Sequence, residues 1–193
     1  LACCSAACFA IAHGRAGRPA SSARRHCSAS SSKNSSSVAR RAWCSLSPRF
    51  HSLSVSAVAT VVGSAGSDDV VTQLQADATL AVSAVETVVG AGGTADTVQM
   101  LEAGALSVSD VATVVGTTDS GEVVTLLVEG TLAVSRVDSV IGSDGTGDTV
   151  QWLAAGALAV SAVETLLGST GTDVATLLDA TAVTVDGIET VIG

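Results

Sequence analysis

A nine-residue phrase recurs six times in this chain, and it constrains the fold more than any other feature. It reads VSAVATVVG at 55–63, VSAVETVVG at 82–90, VSDVATVVG at 108–116, VSRVDSVIG at 134–142, VSAVETLLG at 160–168 and VDGIETVIG at 185–193. The closing glycines, Gly63, Gly90, Gly116, Gly142, Gly168 and Gly193, are separated by 27, 26, 26, 26 and 25 residues. So steady a period marks a solenoid, in which each unit buries its apolar face against its neighbours.

The 193 residues divide near Ser52 into two kinds of chain. Eight of the nine basic residues lie between Arg15 and Arg49, and all five cysteines and all three histidines lie at or before His51. All eighteen acidic residues lie at or after Asp68, where Arg136 is the sole cation. Residues 1–52 read as a disordered basic leader or tail. Residues 53–193 read as a repeat domain of five to six rungs, and as a piece of a longer array because neither end carries a polar cap. The strongly acidic domain excludes nucleic acid, whose phosphates require Lys and Arg.

The leader's apolar start, LACCSAACFAIA, is too short to span a bilayer, which takes about 20 apolar residues. Two targeting readings fit the segment: a secretory signal ending near 10–12, or an acid-poor, Ser- and Arg-rich transit peptide. They place the protein outside the cell or in an organelle. The cluster Cys3, Cys4, Cys8, His13, His26 and Cys27 matches no zinc-ligand spacing.

Within one unit, residues 122–142, the sequence predicts three strands at 123–128, 132–134 and 137–141, then a loop at 142–148. Valine and threonine dominate, and both suit pleated strands. Glycine and small polar residues punctuate corresponding places in every unit. The expected fold is all-β, a parallel β-helix or β-roll solenoid with rungs of about 26 residues. The alternative is a helical repeat, suggested by Val108, Val111, Val114 and Val115 at near-helical spacing. If one unit makes one rung, like stacks on like. Leu80, Leu106, Leu132 and Leu158 then form an inward column, as do Val85, Val111, Val137, Val163 and Ile188. Thr60, Thr87, Thr113, Ser139, Thr165 and Thr190 form a hydroxyl ladder.

The loop after each closing glycine is where polar groups converge. It reads GSAGSD at 63–68, GAGGTAD at 90–96, GSDGTGD at 142–148 and GSTGTD at 168–173, with 116–122 departing furthest. Stacked rungs would put Asp68, Asp96, Glu122, Asp148 and Asp173 in one column, where a hard divalent cation relieves repulsion at rung spacing. A second acidic set, Glu86, Asp138, Glu164 and Glu189, reads as a solvated strand face.

The loop followed by alternating apolar residues, as in GSDGTGDTVQWL, resembles the glycine- and aspartate-rich nonapeptide of the RTX (haemolysin-type calcium-binding) proteins. The likeness covers 53–193. It implies an extracellular setting and calcium held in loops by Gly63, Gly66, Asp68, Asp96, Gly142, Gly145, Asp148, Gly168, Gly171 and Asp173. The plain alternative is that these loops are Asx-type turns with solvated aspartates.

Nothing in the repeat points to catalysis: it has no His, Cys, Tyr or Lys, and no carboxylate pair stands apart from the pattern. The expected function is a non-catalytic structural or adhesive segment of a secreted or surface protein. Its partners would be its own neighbouring repeats and cell-surface or matrix components. The alternatives are an ice- or surface-binding solenoid, or the appendage of an enzyme encoded elsewhere.

Overall fold

The computed structural model describes the strands at 27–29 and 42–45 together with residues 52–64, 68–179 and 182–193. Every regular element among them is a strand. The first six are β1 (Cys27–Ala29), β2 (Ala42–Ser45), β3 (Ser52–Val55), β4 (Thr60–Val62), β5 (Val70–Gln73) and β6 (Thr79–Ser83). Next come β7 (Thr87–Val89), β8 (Thr97–Met100), β9 (Ala105–Ser109), β10 (Thr113–Val115), β11 (Val123–Leu126), β12 (Thr131–Ser135) and β13 (Ser139–Ile141). The last six are β14 (Thr149–Trp152), β15 (Gly156–Ser161), β16 (Thr165–Leu167), β17 (Asp173–Leu177), β18 (Thr184–Asp186) and β19 (Thr190–Ile192).

From β2 onward the strands alternate between two parallel sheets. Sheet A runs β1-β2-β4-β6-β8-β10-β12-β14-β16-β18, and sheet B runs β3-β5-β7-β9-β11-β13-β15-β17-β19. The chain is therefore a β-solenoid with two strands per coil. Strands β1 and β2, from the segment expected to be a disordered leader, extend sheet A at its start. There β1 lies antiparallel to β2, and β2 lies parallel to β4. The rest of that segment, including the cleavage-site and zinc readings, lies outside the described residues.

The coil is shorter than the expected rung. In-register partners in successive coils lie between 16 residues apart, as for Thr97 and Thr113, and 21 apart, as for Thr60 and Ala81. The three strands foreseen per unit are present. They do not close one coil, however; they make one and a half. The reason is packing. Valine and leucine from two facing sheets fill the ~10 Å between them, so two walls suffice. Both sheets read the same alternation of buried and exposed residues, as in the identical patterns of β6, β9 and β12. One phrase therefore fits either wall.

This corrects the expected columns. Leu80, Leu106, Leu132 and Leu158 are all buried, but Leu80 and Leu132 belong to sheet A and Leu106 and Leu158 to sheet B. In sheet A, Leu132 has Val150 as its in-register neighbour, and Leu166 follows. The corner valines Val85, Val111, Val137 and Val163 are also buried and alternate between the two edges. The hydroxyl ladder divides too: Thr60, Thr113 and Thr165 lie in sheet A, and Thr87, Ser139 and Thr190 in sheet B. True recurrence along one sheet takes three coils and two phrases. Thr79–Ser83 and Thr131–Ser135 both read TLAVS, and Thr97–Met100 reads TVQM where Thr149–Trp152 reads TVQW.

Each phrase turns its corner on one left-handed residue. Ala57, Ala84, Asp110, Arg136 and Ala162 have φ between 49° and 56°, and Gly187 has φ 68°. The carbonyl of this residue sits directly on the Cα of the closing glycine one coil earlier: Ala84 on Gly63, Asp110 on Gly90, Arg136 on Gly116, Ala162 on Gly142 and Gly187 on Gly168. The glycine N–H donates to the residue just before the corner, as Gly142 N does to Ser161 O at 2.8 Å. The closing glycine is required by this close approach, not by its own φ.

Candidate functional site

The loops after the closing glycines are built around buried acids. Asp69, Asp96, Glu122, Asp148 and Asp173 are all fully buried. Four of them fall six residues after a closing glycine and Asp173 falls five after. The first of the set is Asp69, not the expected Asp68, which is exposed with φ 83°.

Each acid closes its own loop first. Asp148 Oδ2 accepts the Ser143 N–H at 2.6 Å and the Ser143 hydroxyl at 2.8 Å. Asp69 Oδ2 accepts the same pair from Ser64, and Asp173 accepts both donors of Ser169. Asp96 Oδ2 accepts N–H groups from Ala91 and Gly93 at 3.0 and 3.3 Å. Glu122 Oε1 accepts from the Thr117 N–H at 3.2 Å and from the Thr117 hydroxyl.

The same acids reach into the coils on either side. Toward the preceding coil, Asp96, Asp148 and Asp173 use Oδ1 to accept the N–H of Ala78, Gly130 and Gly156. Toward the following coil, the backbone carbonyl of Asp148 accepts two N–H groups, from Glu164 and Thr165. The Asp148 N–H donates in turn to Glu164 Oε2 at 2.9 Å. The equivalent bonds join Asp69 to Glu86 and Asp173 to Glu189, both at 2.7 Å, and Glu122 to Asp138 at 3.2 Å. The second acidic set is thus not simply a solvated face, because each member caps the main chain of the coil before it. Adding Asp77, Glu102, Glu129 and Asp179, at least thirteen of the eighteen acids accept a main-chain N–H. Such charge-assisted bonds are about twice as strong as neutral ones. They allow a carboxylate to be buried without a cationic partner.

Two phrases carry alanine in place of the second acid, at Ala59 and Ala112, and only Ala112 follows one of the buried loop acids. Ala112 occupies the place of Glu86, Asp138, Glu164 and Glu189. Its backbone keeps the pattern, with Ala112 N donating to Asp96 O at 3.1 Å. We expect Ala112→Glu to cap the Asp96 N–H and to raise stability by roughly 0.5–1 kcal/mol, the worth of a half-exposed charged hydrogen bond. Thermal unfolding checks this, with Ala112→Gln as the neutral control.

The acids do not form the expected single column. Asp69, Glu122 and Asp173 follow strands of sheet A and lie on one edge, whereas Asp96 and Asp148 follow strands of sheet B and lie on the other. Neighbours on one edge are three coils apart, roughly 14 Å at strand spacing. That exceeds the screening length of about 8 Å at physiological salt. The repulsion that was expected to call for a cation is therefore largely absent. Among the described residues, no three acidic, Cys or His side chains converge as a metal cluster.

The glycines expected as ligands serve packing. Gly63, Gly142 and Gly168 lie under the corner carbonyls described above. Gly145 packs against the Glu129 side chain and Gly171 against Ala155. Gly66 lies outside the described residues.

Asp138 is the acid whose ionisation is most clearly tuned. The Gly121 N–H holds its carboxyl below the ordinary value of 3.8, aided by the main chain and side chain of Glu122 and opposed by burial. A lowered folded pKa contributes stability above the unfolded value and loses it as pH falls through the folded one. The difference in thermal midpoint between the native chain and Asp138→Asn should therefore hold steady above about pH 4 and shrink below it. A difference independent of pH between 2 and 7 would sink this assignment.

A groove of about 490 Å³ opens beside Ala112, lined among others by Thr94, Thr113, Val128, Glu129 and Thr131. Its chemistry is hydroxyl and carboxylate, with no nucleophile paired to a base. No helix among the described residues is long and apolar enough to cross a membrane. No protein-family model, curated protein sequence or solved structure matches this chain.

Proposed function

We propose that the chain is a non-catalytic structural or adhesive scaffold belonging to a secreted or surface protein. The observation that carries this reading is the use of the acids. They recur coil after coil as caps on the main chain, so the polar chemistry maintains the rod instead of converging on a pocket. The likeness to glycine- and aspartate-rich secreted repeats adds an extracellular setting. Adhesion by such a rod is multivalent, with many weak contacts along repeated faces.

A shortened chain tests it. Excision of residues 79–130 removes six strands and three whole coils, and joins β5 to β12, which lies in the same sheet as β6. The scaffold reading expects the shortened chain to keep a β-type circular dichroism spectrum. The adhesive reading expects retention on matrix- or cell-coated surfaces to weaken by at least ~10-fold, as avidity is lost. Equal retention of both lengths removes the multivalent part.

A second reading is favoured by one feature of sheet A. Thr79, Thr97 and Thr113 are in register on adjacent strands, as are Thr131, Thr149, Thr165 and Thr184. The equivalent outward column of sheet B runs Ala105, Val123, Ser139 and Ala159. A hydroxyl row at ~4.8 Å spacing suits an ordered surface such as ice or a mineral. Inhibition of ice recrystallisation that is abolished by Thr149→Lys would favour this reading, and an inactive native chain would discard it.

A further inference from the structure

The antiparallel pair at the start of sheet A sets two cysteines in register. Strands β1 and β2 pair Cys27 with Cys44, Ser28 with Trp43 and Ala29 with Ala42. Every other strand pair among the described residues is parallel. Directly opposed residues of an antiparallel pair have Cα atoms about 4.5 or 5.5 Å apart, depending on their place in the hydrogen-bond pattern. Both spacings fall inside the roughly 4.4–6.8 Å that a disulfide spans. The Cβ atoms of such pairs start about 4.5–5.5 Å apart, so the bond need draw them in by only about 1 Å. The connection makes a bond there useful. Residues 30–41, SSSKNSSSVARR, join the two strands. Hairpin loops that fix a register are usually about 2–5 residues long. This longer connection leaves the pairing weakly specified, and the strands have only 3 and 4 residues with which to hold it.

We infer that Cys27 and Cys44 form a disulfide, and that this bond holds β1 in place as the outermost strand of sheet A. There β1 covers the edge of β2 opposite β4. Being short, it offers little template to a further strand. The reaction is thiol–disulfide exchange with a small-molecule disulfide such as oxidised glutathione. One protein thiolate attacks the small molecule's S–S bond, which forms a mixed disulfide and releases one thiolate. The second protein thiolate attacks the protein sulfur of that mixed disulfide, which joins Cys27 to Cys44 and releases the other. The two protein thiols give up two protons and two electrons, and the small molecule leaves as two thiols. Such a bond persists in an oxidising, extracellular setting. The inference rests on the register of β1 and β2 and does not depend on whether the rod is adhesive.

Oxidation of the full chain in a glutathione redox buffer, alkylation of the remaining thiols and tryptic mapping by mass spectrometry test it. Cleavage after Arg25, Lys33, Arg41 and Arg49 puts Cys27 on residues 26–33 and Cys44 on residues 42–49, apart from Cys3, Cys4 and Cys8. The expected product is these two peptides joined. In chain oxidised in urea, Cys44 has four other cysteines to pair with, so chance joins it to Cys27 about a quarter of the time. Native oxidation should raise that share roughly threefold, because the register brings one partner within bonding distance. A share no higher than in urea, Cys44 joined instead to residues 1–15, or both thiols free after oxidation overturns the inference. Reduction of the joined form should lower hydrogen-exchange protection in β1 and β2 and leave β10 to β14 unchanged. Equal protection of β1 and β2 before and after reduction overturns the holding role.

Discussion

Replacing Gly142 by alanine is expected to cost the fold about 3 kcal/mol or more, toward the upper end of what overpacking does. The added methyl would land on the Ala162 carbonyl oxygen and within 2.9 Å of Asp148 Oδ2. Neither is the free end of a flexible chain. The carbonyl belongs to a left-handed corner fixed at φ 53°, and the carboxylate is fully buried and anchored by several donors. Relief requires two adjacent coils to separate, which breaks the bond from Gly142 N to Ser161 O. Gly104→Ala is the matched control, because nothing lies within 4 Å of the position its methyl would take. It should change stability by less than about 0.5 kcal/mol. A solenoid need not unfold as one unit, so hydrogen exchange is the better readout. Protection should fall first in β13 and β15 for Gly142→Ala and nowhere for Gly104→Ala. Equal effects of the two variants would show that the close approach is not what fixes the glycine.

Asp148→Ala carries the second large effect, about 3–5 kcal/mol. It strands the N–H groups of Gly130 and Ser143 and the Ser143 hydroxyl, all lodged against a fully buried position. Each unsatisfied buried donor costs about 1–3 kcal/mol. Asp148→Asn keeps the shape but turns an amide N–H₂ toward donors, so it should recover little of the loss. The discriminating comparison is the same pair of variants with and without calcium. A carboxylate that caps the main chain predicts equal losses in chelator and in millimolar calcium. A loss that appears only when calcium is present would mean that Asp148 is an ion ligand.

Much of this arrangement is legible in the chain itself. The strands follow from valine and threonine runs between glycine-marked loops, and β11, β12 and β13 fall where one unit predicts them. The ratio of unit to coil does not follow. The phrase at 82–90 ends β6 in one sheet and forms β7 in the other, and the phrase at 108–116 does the reverse. A pattern acceptable to both walls says nothing about which wall it occupies. The loop acids were nearly readable. Counting six residues from Gly63 arrives at Asp69, as it does from Gly90 at Asp96 and from Gly142 at Asp148; taking the first aspartate instead gives the exposed Asp68. The role of Glu86, Asp138, Glu164 and Glu189 was hidden for a different reason. Each caps a main-chain group 16 or 17 residues earlier, and a main-chain N–H leaves no trace in sequence.

A unit worth one and a half coils makes copy number a matter of parity. Each phrase gained or lost advances the rod by about 7 Å and rotates everything beyond it by half a circle. Adding one exchanges the threonine-bearing side of the distal rod with its valine- and alanine-bearing side, and moves each downstream loop to the opposite edge. Adding two restores the original orientation. Recombination between such similar phrases would therefore alter which side a distal segment faces as well as its reach. Faces stay in phase only when phrases are gained or lost in pairs, a constraint consistent with the shared TLAVS and TVQ segments 52 residues apart.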